Sequence, residues 1–364
     1  MDNRLLKVCH VTSLHSWNDG RIFRRECVSL VKKFNVSLIA PNVDDTDIEG
    51  VHIVGVKLPQ RRISRMLNLG KVYKKMVEVD ADIYHFHDPE LLPVGIKIKR
   101  KLSKKIIFDS HEDVPVHIRL SLWIPSMFRS FVAQIYSIYE RRVLTHYDAV
   151  ISVAPNIVER LSSYNPNTFQ VTNYPILDID ESSNVVKNQI CFTGGVDPTW
   201  MHENVLMALQ SIDCRYAIAG WGSEGYIDKL KSLPAWQKVD YYGRLSFEQC
   251  KELQKESLLG VAVLDYVGSK QGTLGNTKMF EYMMRGIPLV ATDYILWKEI
   301  IEGNNCGKCV NPHSVEEISQ AIRFYVDHPE EAKRQGMNGR RIVREKYNWA
   351  TQEEILFSLY ESII

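Results

Sequence analysis

The segment Gly272–Arg285 (GTLGNTKMFEYMMR) combines residue types suited to holding an anion. A loop with Gly268, Gly272, Thr273, Leu274 and Gly275 leads into a helix beginning near Asn276 and Thr277. Glycines let a backbone approach a ligand closely, and the unpaired N–H groups of a helix start favour negative charge. Lys278 falls in the first turn, where the helix dipole favours an acid. A cation there suits a bound anion. Glu281 shares that helix face, and its carboxylate can accept two hydrogen bonds from a vicinal diol such as ribose. The same spacing also fits an amphipathic helix with a surface Lys–Glu pair.

Three further strand ends carry glycine: Phe192–Gly195 (FTGG), Ala219–Gly222 (AGWG) and Gly243–Arg244. Gly195 and Gly222 fit either close approach of a nucleotide or a tight turn; Arg244 fits a phosphate ligand or a solvated residue. Asn18-Asp19-Gly20 follows the first strand, as a plain turn or with Gly20 against a diphosphate. Two strands end in clusters of histidines and acids: His85-Phe86-His87-Asp88-Pro89-Glu90 and Asp109-Ser110-His111-Glu112-Asp113. His-x-His on a strand puts both rings on one face. Polar substrate binding, a metal and structural histidines all fit, and the expectation is substrate binding without metal. Asp45-Thr46-Asp47 matches the D-x-D of metal-dependent sugar transferases but reads as a solvated turn in an acidic loop. Cys306-Gly307-Lys308-Cys309 lacks a companion pair for zinc.

Parallel strands must position these ends. Strand-like runs at 5–14, 36–40 (stopped by Pro41), 51–56, 83–87, 105–109 and 149–153 alternate with helical stretches, among them 21–33 and a long one over 125–146. After a polar, acidic stretch at 173–188, strands recur at 189–193, 215–219, 239–242, 259–264 and 288–291. The expected architecture is α/β, with two Rossmann-like doubly wound domains facing a cleft. The expected domains are 1–172, plus a final crossover helix over about 348–364, and 189–347, joined by a linker at 173–188.

The 364 residues suit two domains, and 45% hydrophobic and 24% charged residues are globular usage. The net charge of +1 conceals a division: residues 1–172 carry 25 basic and 18 acidic groups, the remainder 20 and 26. The balance argues against a nucleic-acid binder. The basic first half suits an anionic acceptor or membrane, as do the cations and aromatics within 97–132. Seven scattered cysteines and the absence of a signal peptide or spanning segment point to the cytoplasm.

In chain order, HFHDPELLPVG, FDSHEDVP, VTNYP, YYGRLSFEQ, NTKMFEYMMRGIPLVATD and NGRRIVREKYNW resemble the landmarks of family-four retaining glycosyltransferases with the GT-B fold. The resemblance spans nearly the whole chain. It implies metal-independent transfer of a sugar from a UDP- or GDP-sugar to a glycan or lipid-linked acceptor, at the inner face of the plasma membrane, in polysaccharide synthesis. It places Glu281 on the ribose, Lys278 and Arg244 on the diphosphate, Gly20 beneath the donor phosphates, and His111 beside the donor sugar. His87, Asp88, Glu90, His111 and Glu112 would line the acceptor side. Two departures stand out. Thr273 replaces the first glutamate of E-x7-E, so main-chain groups of Gly272–Leu274 are expected to substitute. The loop Val196–His202 lacks the usual arginine and lysine, leaving His202 as its one candidate cation. A catalytically degraded nucleotide-sugar binder and a nucleotide-sugar epimerase are the rival readings.

Overall fold

The structure, a computed structural model, describes residues 5–121, 123–178, 186–266 and 270–364. The chain divides into two compact units, 1–173 with 350–364, and 174–349. Part of the 173–188 stretch, and Gly268, lie outside the described residues.

The first unit is built on strands β1 (Lys7–Val11), β2 (Asn35–Pro41), β3 (Thr46–Ile48), β4 (Val51–Val56), β5 (Ile83–Phe86), β6 (Lys105–Ser110), β7 (Ala149–Ser152) and β8 (Thr168–Gln170). They form one sheet in the order β3-β4-β2-β1-β5-β6-β7-β8, parallel except for β3 against β4. The inner strands are short apolar runs buried on both faces, as a helix-covered parallel sheet requires. The final helix, Trp349–Ile363, packs in this unit from Ala350 onward; Gln352 accepts from the Thr172 amide, and Tyr360 is fully buried.

The second unit carries β9 (Lys187–Thr193), β10 (Arg215–Ala219), β11 (Val239–Gly243), β12 (Ser257–Ala262), β13 (Leu289–Thr292) and β14 (Gly307–Val310). Their order is β11-β10-β9-β12-β13-β14, all parallel.

Several local expectations change. Pro41 ends β2 from within the strand, on register with Val56. The helix expected over 21–33 opens as a π-helical turn, Ile22–Cys27, before Val28–Leu30. Its wide turn places Arg21 and Glu26 together, and the Glu26 amide donates to the Arg21 carbonyl at 3.0 Å. In an α-helix, residues five apart point about 140° away from each other. The D-x-D is partly strand rather than loop: Thr46–Ile48 pairs with β4, Asp47 meets His52 at 2.9 Å, and Asp45 accepts from the Gly55 amide. Of the C-x-x-C pair, Cys306 is buried; both thiols are free, and burial pushes that of Cys306 up to about 12.

Candidate active site

In the second sheet β9 is flanked by β10 and β12, so the strand order reverses beside it, where open α/β sheets bind ligands at their carboxyl ends. A pocket of about 170 Å³ lies at these ends. Thr193 at the end of β9 and Gly194 after it, Gly220 and Trp221 after β10, and Arg244 after β11 form its walls, with Glu281 and Arg285 from the helix Thr277–Arg285. The Arg244 guanidinium lies over the Trp221 ring at 4.3 Å. Asp178 holds Arg285 at 2.7 Å and Lys251 at 2.9 Å, both pocket residues.

Lys278 is fixed by its stem. Its ammonium sits 4.1 Å from the Trp200 ring centroid, and its chain runs across Gly194. Gly194 has φ +142°, and a Cβ there would come within 2.4 Å of Lys278 Cε. Burial draws the ammonium below the ordinary lysine range, with Glu281 and Asp197 opposing that shift. Asn276 caps the helix, its side chain accepting from the Lys278 amide at 3.1 Å.

The other residues expected around the donor divide in use. Gly195 follows Gly194 in the same loop, while Gly222 packs on the Val196 carbonyl. Gly272, at φ +79°, packs against Tyr294. The Thr273 hydroxyl accepts from the Gly275 amide and its carbonyl from Trp297 Nε1 at 2.8 Å. That carbonyl is therefore engaged within the protein, Leu274 is buried, and Thr277 opens the helix. His202 does not serve as the cation expected of its loop. It is fully buried, Nδ1 meets the Tyr216 hydroxyl at 3.0 Å, and burial lowers its pKa to about 4. It is a neutral core histidine.

In the first unit, the order reverses beside β1, between β2 and β5. Asp109, at the end of β6, is fully buried. Arg21 grips it through Nε at 2.6 Å and Nη2 at 2.9 Å. Burial opposes ionisation of Asp109, but Arg21 and then His111 hold its carboxyl well below the usual range. His111 Nε2 is 3.0 Å and His87 Nδ1 3.3 Å from Asp109 Oδ2. His87 Nδ1 and His111 Nε2 also lie 3.2 Å apart. An ionised carboxylate only accepts, so in the tautomers in which both nitrogens donate to Asp109, a neutral His111 carries its lone pair on Nδ1. The assignment continues inward: His87 Nε2 accepts from His10 Nδ1 at 2.9 Å, and His85 Nδ1 meets the Tyr360 hydroxyl at 2.9 Å. Burial keeps His10 and His85 well below the ordinary histidine range and His87 at about 4.

The other residues expected on the acceptor side have internal partners. Asp88 accepts from the Thr12 hydroxyl and the Ser13 amide; Glu90 pairs with Arg65 and accepts from Ser13. Glu112 is exposed and meets His117 at 2.9 Å. Gly20 is exposed, and Asp19 beside it caps the turn by accepting from Arg21 and Ile22 amides. Arg21, Glu26 and His10 enter the site without a motif. The one sequence signal is His10 set among apolar neighbours in KVCHV; Arg21 and Glu26, in the charged run RIFRREC, carry none.

Residues 20–171 match the model of Glycosyltransferase Family 4, and residues 177–342 that of Glycosyl transferases group 1. Between them they leave only the first strand, a short join and the end of the chain unmatched. The chain is a family-four glycosyltransferase. Its fold is GT-B. The sucrose-phosphate synthase of Thermosynechococcus elongatus superposes with a TM-score of 0.74 at 15% identity, over 98% of this chain and 99% of that one. Anabaena Alr3699/HepE in complex with UDP and glucose gives 0.71 at 12%, over 98% and 100%. A curated relative, the MMP alpha-(1->4)-mannosyltransferase of Mycolicibacterium hassiacum, is 31% identical over 85 residues. That match spans 23% of this glycosyltransferase and 21% of the mannosyltransferase. No described helix is long and apolar enough to cross a membrane.

Proposed function

We propose that this glycosyltransferase moves a hexose, with retention and without a metal at the diphosphate, from a UDP- or GDP-sugar to a lipid-linked glycan acceptor in cell-surface polysaccharide synthesis. The observation that carries the donor reading is the pocket at the β9–β11 ends, with Glu281 in its wall and Lys278 anchored across Gly194. Glu281 takes the ribose diol, and Lys278 and Arg244 take the charge growing on the departing diphosphate. In the first unit, His111 Nδ1 accepts from a sugar hydroxyl while Asp109 and Arg21 hold the ring. The leaving diphosphate itself takes the acceptor proton. That UDP is bound by a protein of the same fold supports the reading.

A thermal-shift screen with UDP, GDP and their sugar conjugates tests the donor, followed by product analysis with and without acceptor. One nucleotide present at 100 times its Kd should add about 2.7 kcal/mol of stability. Transfer only with acceptor is the expected result. Product without acceptor would make the protein an epimerase, and binding without turnover across a broad acceptor screen a degraded homologue.

A lipid-linked acceptor is favoured by the outer face of Ser126–Leu144. Met127, Phe131, Ile135 and Ile138 repeat at helical spacing and stand exposed, rather than packing on the core. Ile63 and Leu67 on Arg62–Leu67 are also exposed, and Arg62 lies over Trp123. Arg61, Arg119, Arg141 and Arg142 add exposed cations. The denser basic run at 97–105 is less available: Lys99 pairs with Asp148 and Lys104 with Asp80. Apolar side chains fringed by arginine suit the surface of an anionic bilayer. Co-sedimentation with anionic liposomes should fall at least tenfold in a Met127→Asp/Phe131→Asp variant. Equal pelleting of variant and parent would remove this docking face.

A further inference from the structure

His10, Glu26, His85 and His87 each offer one ligand atom, all within 4.8 Å of one another and all fully buried. The fold converges them. His10 on β1 is the register partner of His85 on β5, His87 lies two residues further on the same face, and the π-helical turn delivers Glu26 opposite. Among the described residues, neither Glu26 oxygen accepts a hydrogen bond, although Arg21 Nη2 lies 3.1 Å from Oε1, and His85 Nε2 has no partner. A buried polar atom left so costs about 1–3 kcal/mol, and more when charged. These atoms point to something that coordinates them.

We propose that this pocket is a structural site for one four-coordinate divalent cation of the zinc class. His10 Nδ1, His87 Nε2 and Glu26 Oε2 form a triangle with edges of 2.9, 3.7 and 3.9 Å. Tetrahedral ligands about 2.0–2.1 Å from zinc lie about 3.3 Å apart, so the triangle closes with shifts of about half an ångström and with the His10 and His87 rings, which face end to end with centroids 5.1 Å apart, turned toward the ion. His85 supplies the fourth position. The ion takes the place of the proton between His10 and His87, and the displaced proton resides on His10 Nε2, 3.3 Å from the Tyr360 hydroxyl. His87 keeps its Nδ1 proton toward Asp109, the carboxylate–histidine–metal arrangement that fixes ring orientation around zinc. Three neutral imidazoles and a carboxylate suit zinc better than magnesium or calcium, which prefer all-oxygen shells. The ion would brace the first unit from beneath, independently of sugar transfer.

The full chain, produced without a polyhistidine tag in zinc-supplemented medium, tests this by elemental analysis after gel filtration. About one zinc per chain is expected, with the intense visible absorption of four-coordinate cobalt(II) after exchange. Glu26→Gln should bind zinc at least tenfold more weakly, and chelation should lower the Tm of the parent. Less than a tenth of a zinc per chain, zinc retained equally by Glu26→Gln, or the weak spectrum of six-coordinate cobalt would each overturn the proposal. If the variant does not fold, parent stoichiometry and the cobalt spectrum decide alone.

Discussion

Lys278→Met is expected to lower kcat/KM for the true donor by at least tenfold, approaching a hundred- to a thousandfold. Methionine keeps an unbranched stem against Trp200 and across Gly194 while removing the ammonium. The change therefore tests charge rather than packing. In breaking the bond between anomeric carbon and diphosphate, negative charge grows on the leaving oxygen. A preorganised donor aimed at such charge contributes about 2.7–4 kcal/mol to lowering the barrier. Lys278 is preorganised because its stem is held on both sides. Burial also depresses its pKa in the absence of an anion, so a diphosphate that restores the favourable charge environment should bind with proton uptake toward alkaline pH. The same position lacks the help common in related loops, since Val196–His202 brings no lysine or arginine and His202 is buried and neutral. Loss of Lys278 should thus be felt more heavily, leaving Arg244 as the other cation proposed to face the diphosphate. Steady-state transfer assays and thermal shift with the nucleoside diphosphate measure the two halves. Unchanged transfer by Lys278→Met would sink the donor assignment.

The strand ends were legible because each pairs a short apolar run with a glycine or a polar cluster, and parallel sheets place such ends together. That is why Gly195, Arg244 and Glu281 could be grouped from residues far apart. The elements that escaped sequence reading have physical reasons. β14 is four residues with Gly307 and Lys308, too short and too mixed for a period of two. The helix Pro329–Glu345 contains Gly336 and Gly339, which read as breakers. A Cβ at Gly336 would come within 1.9 Å of the Gly286 carbonyl, so close packing chooses glycine there. His202 shows the opposite failure. Its place after a glycine-rich strand end suggested a ligand, but helical phase turns the ring inward onto Phe192 and Tyr216. Spacing reports the face of a helix only once its first residue is known. Asp88 and Glu90 likewise occupy the right strand end while their carboxylates close the loop after β1.

Asp109→Asn is expected to lower kcat/KM about a hundredfold while leaving nucleotide binding by the second unit unchanged. The argument rests on which atoms can accept. Asp109 Oδ2 receives Arg21 Nε, His111 Nε2 and His87 Nδ1, while Oδ1 receives Arg21 Nη2. Asparagine has one accepting oxygen and an amide nitrogen that donates. If its oxygen faces the histidines, the NH2 meets Arg21. If its oxygen faces Arg21 Nη2, the NH2 faces His111 Nε2 and forces the proton to Nδ1. The ring then presents a donor where the sugar hydroxyl requires an acceptor. Replacing the aspartate of a catalytic triad by asparagine costs about 10⁴ through the same tautomer error; His111 here orients rather than abstracts, so the expected loss is smaller. Breaking a buried ion pair also costs about 3–5 kcal/mol, and Glu26, 3.1 Å from Arg21, offsets part of it. A thermal melt separates that stability loss from the kinetic effect. The decisive measurement is the double variant with His111→Ala. If Asp109 acts through His111, the pair should lose little more than His111→Ala alone, because residues acting as one unit are not additive. Independent, multiplying losses would show that Asp109 serves the fold of the first unit and that His111 takes its orientation from elsewhere.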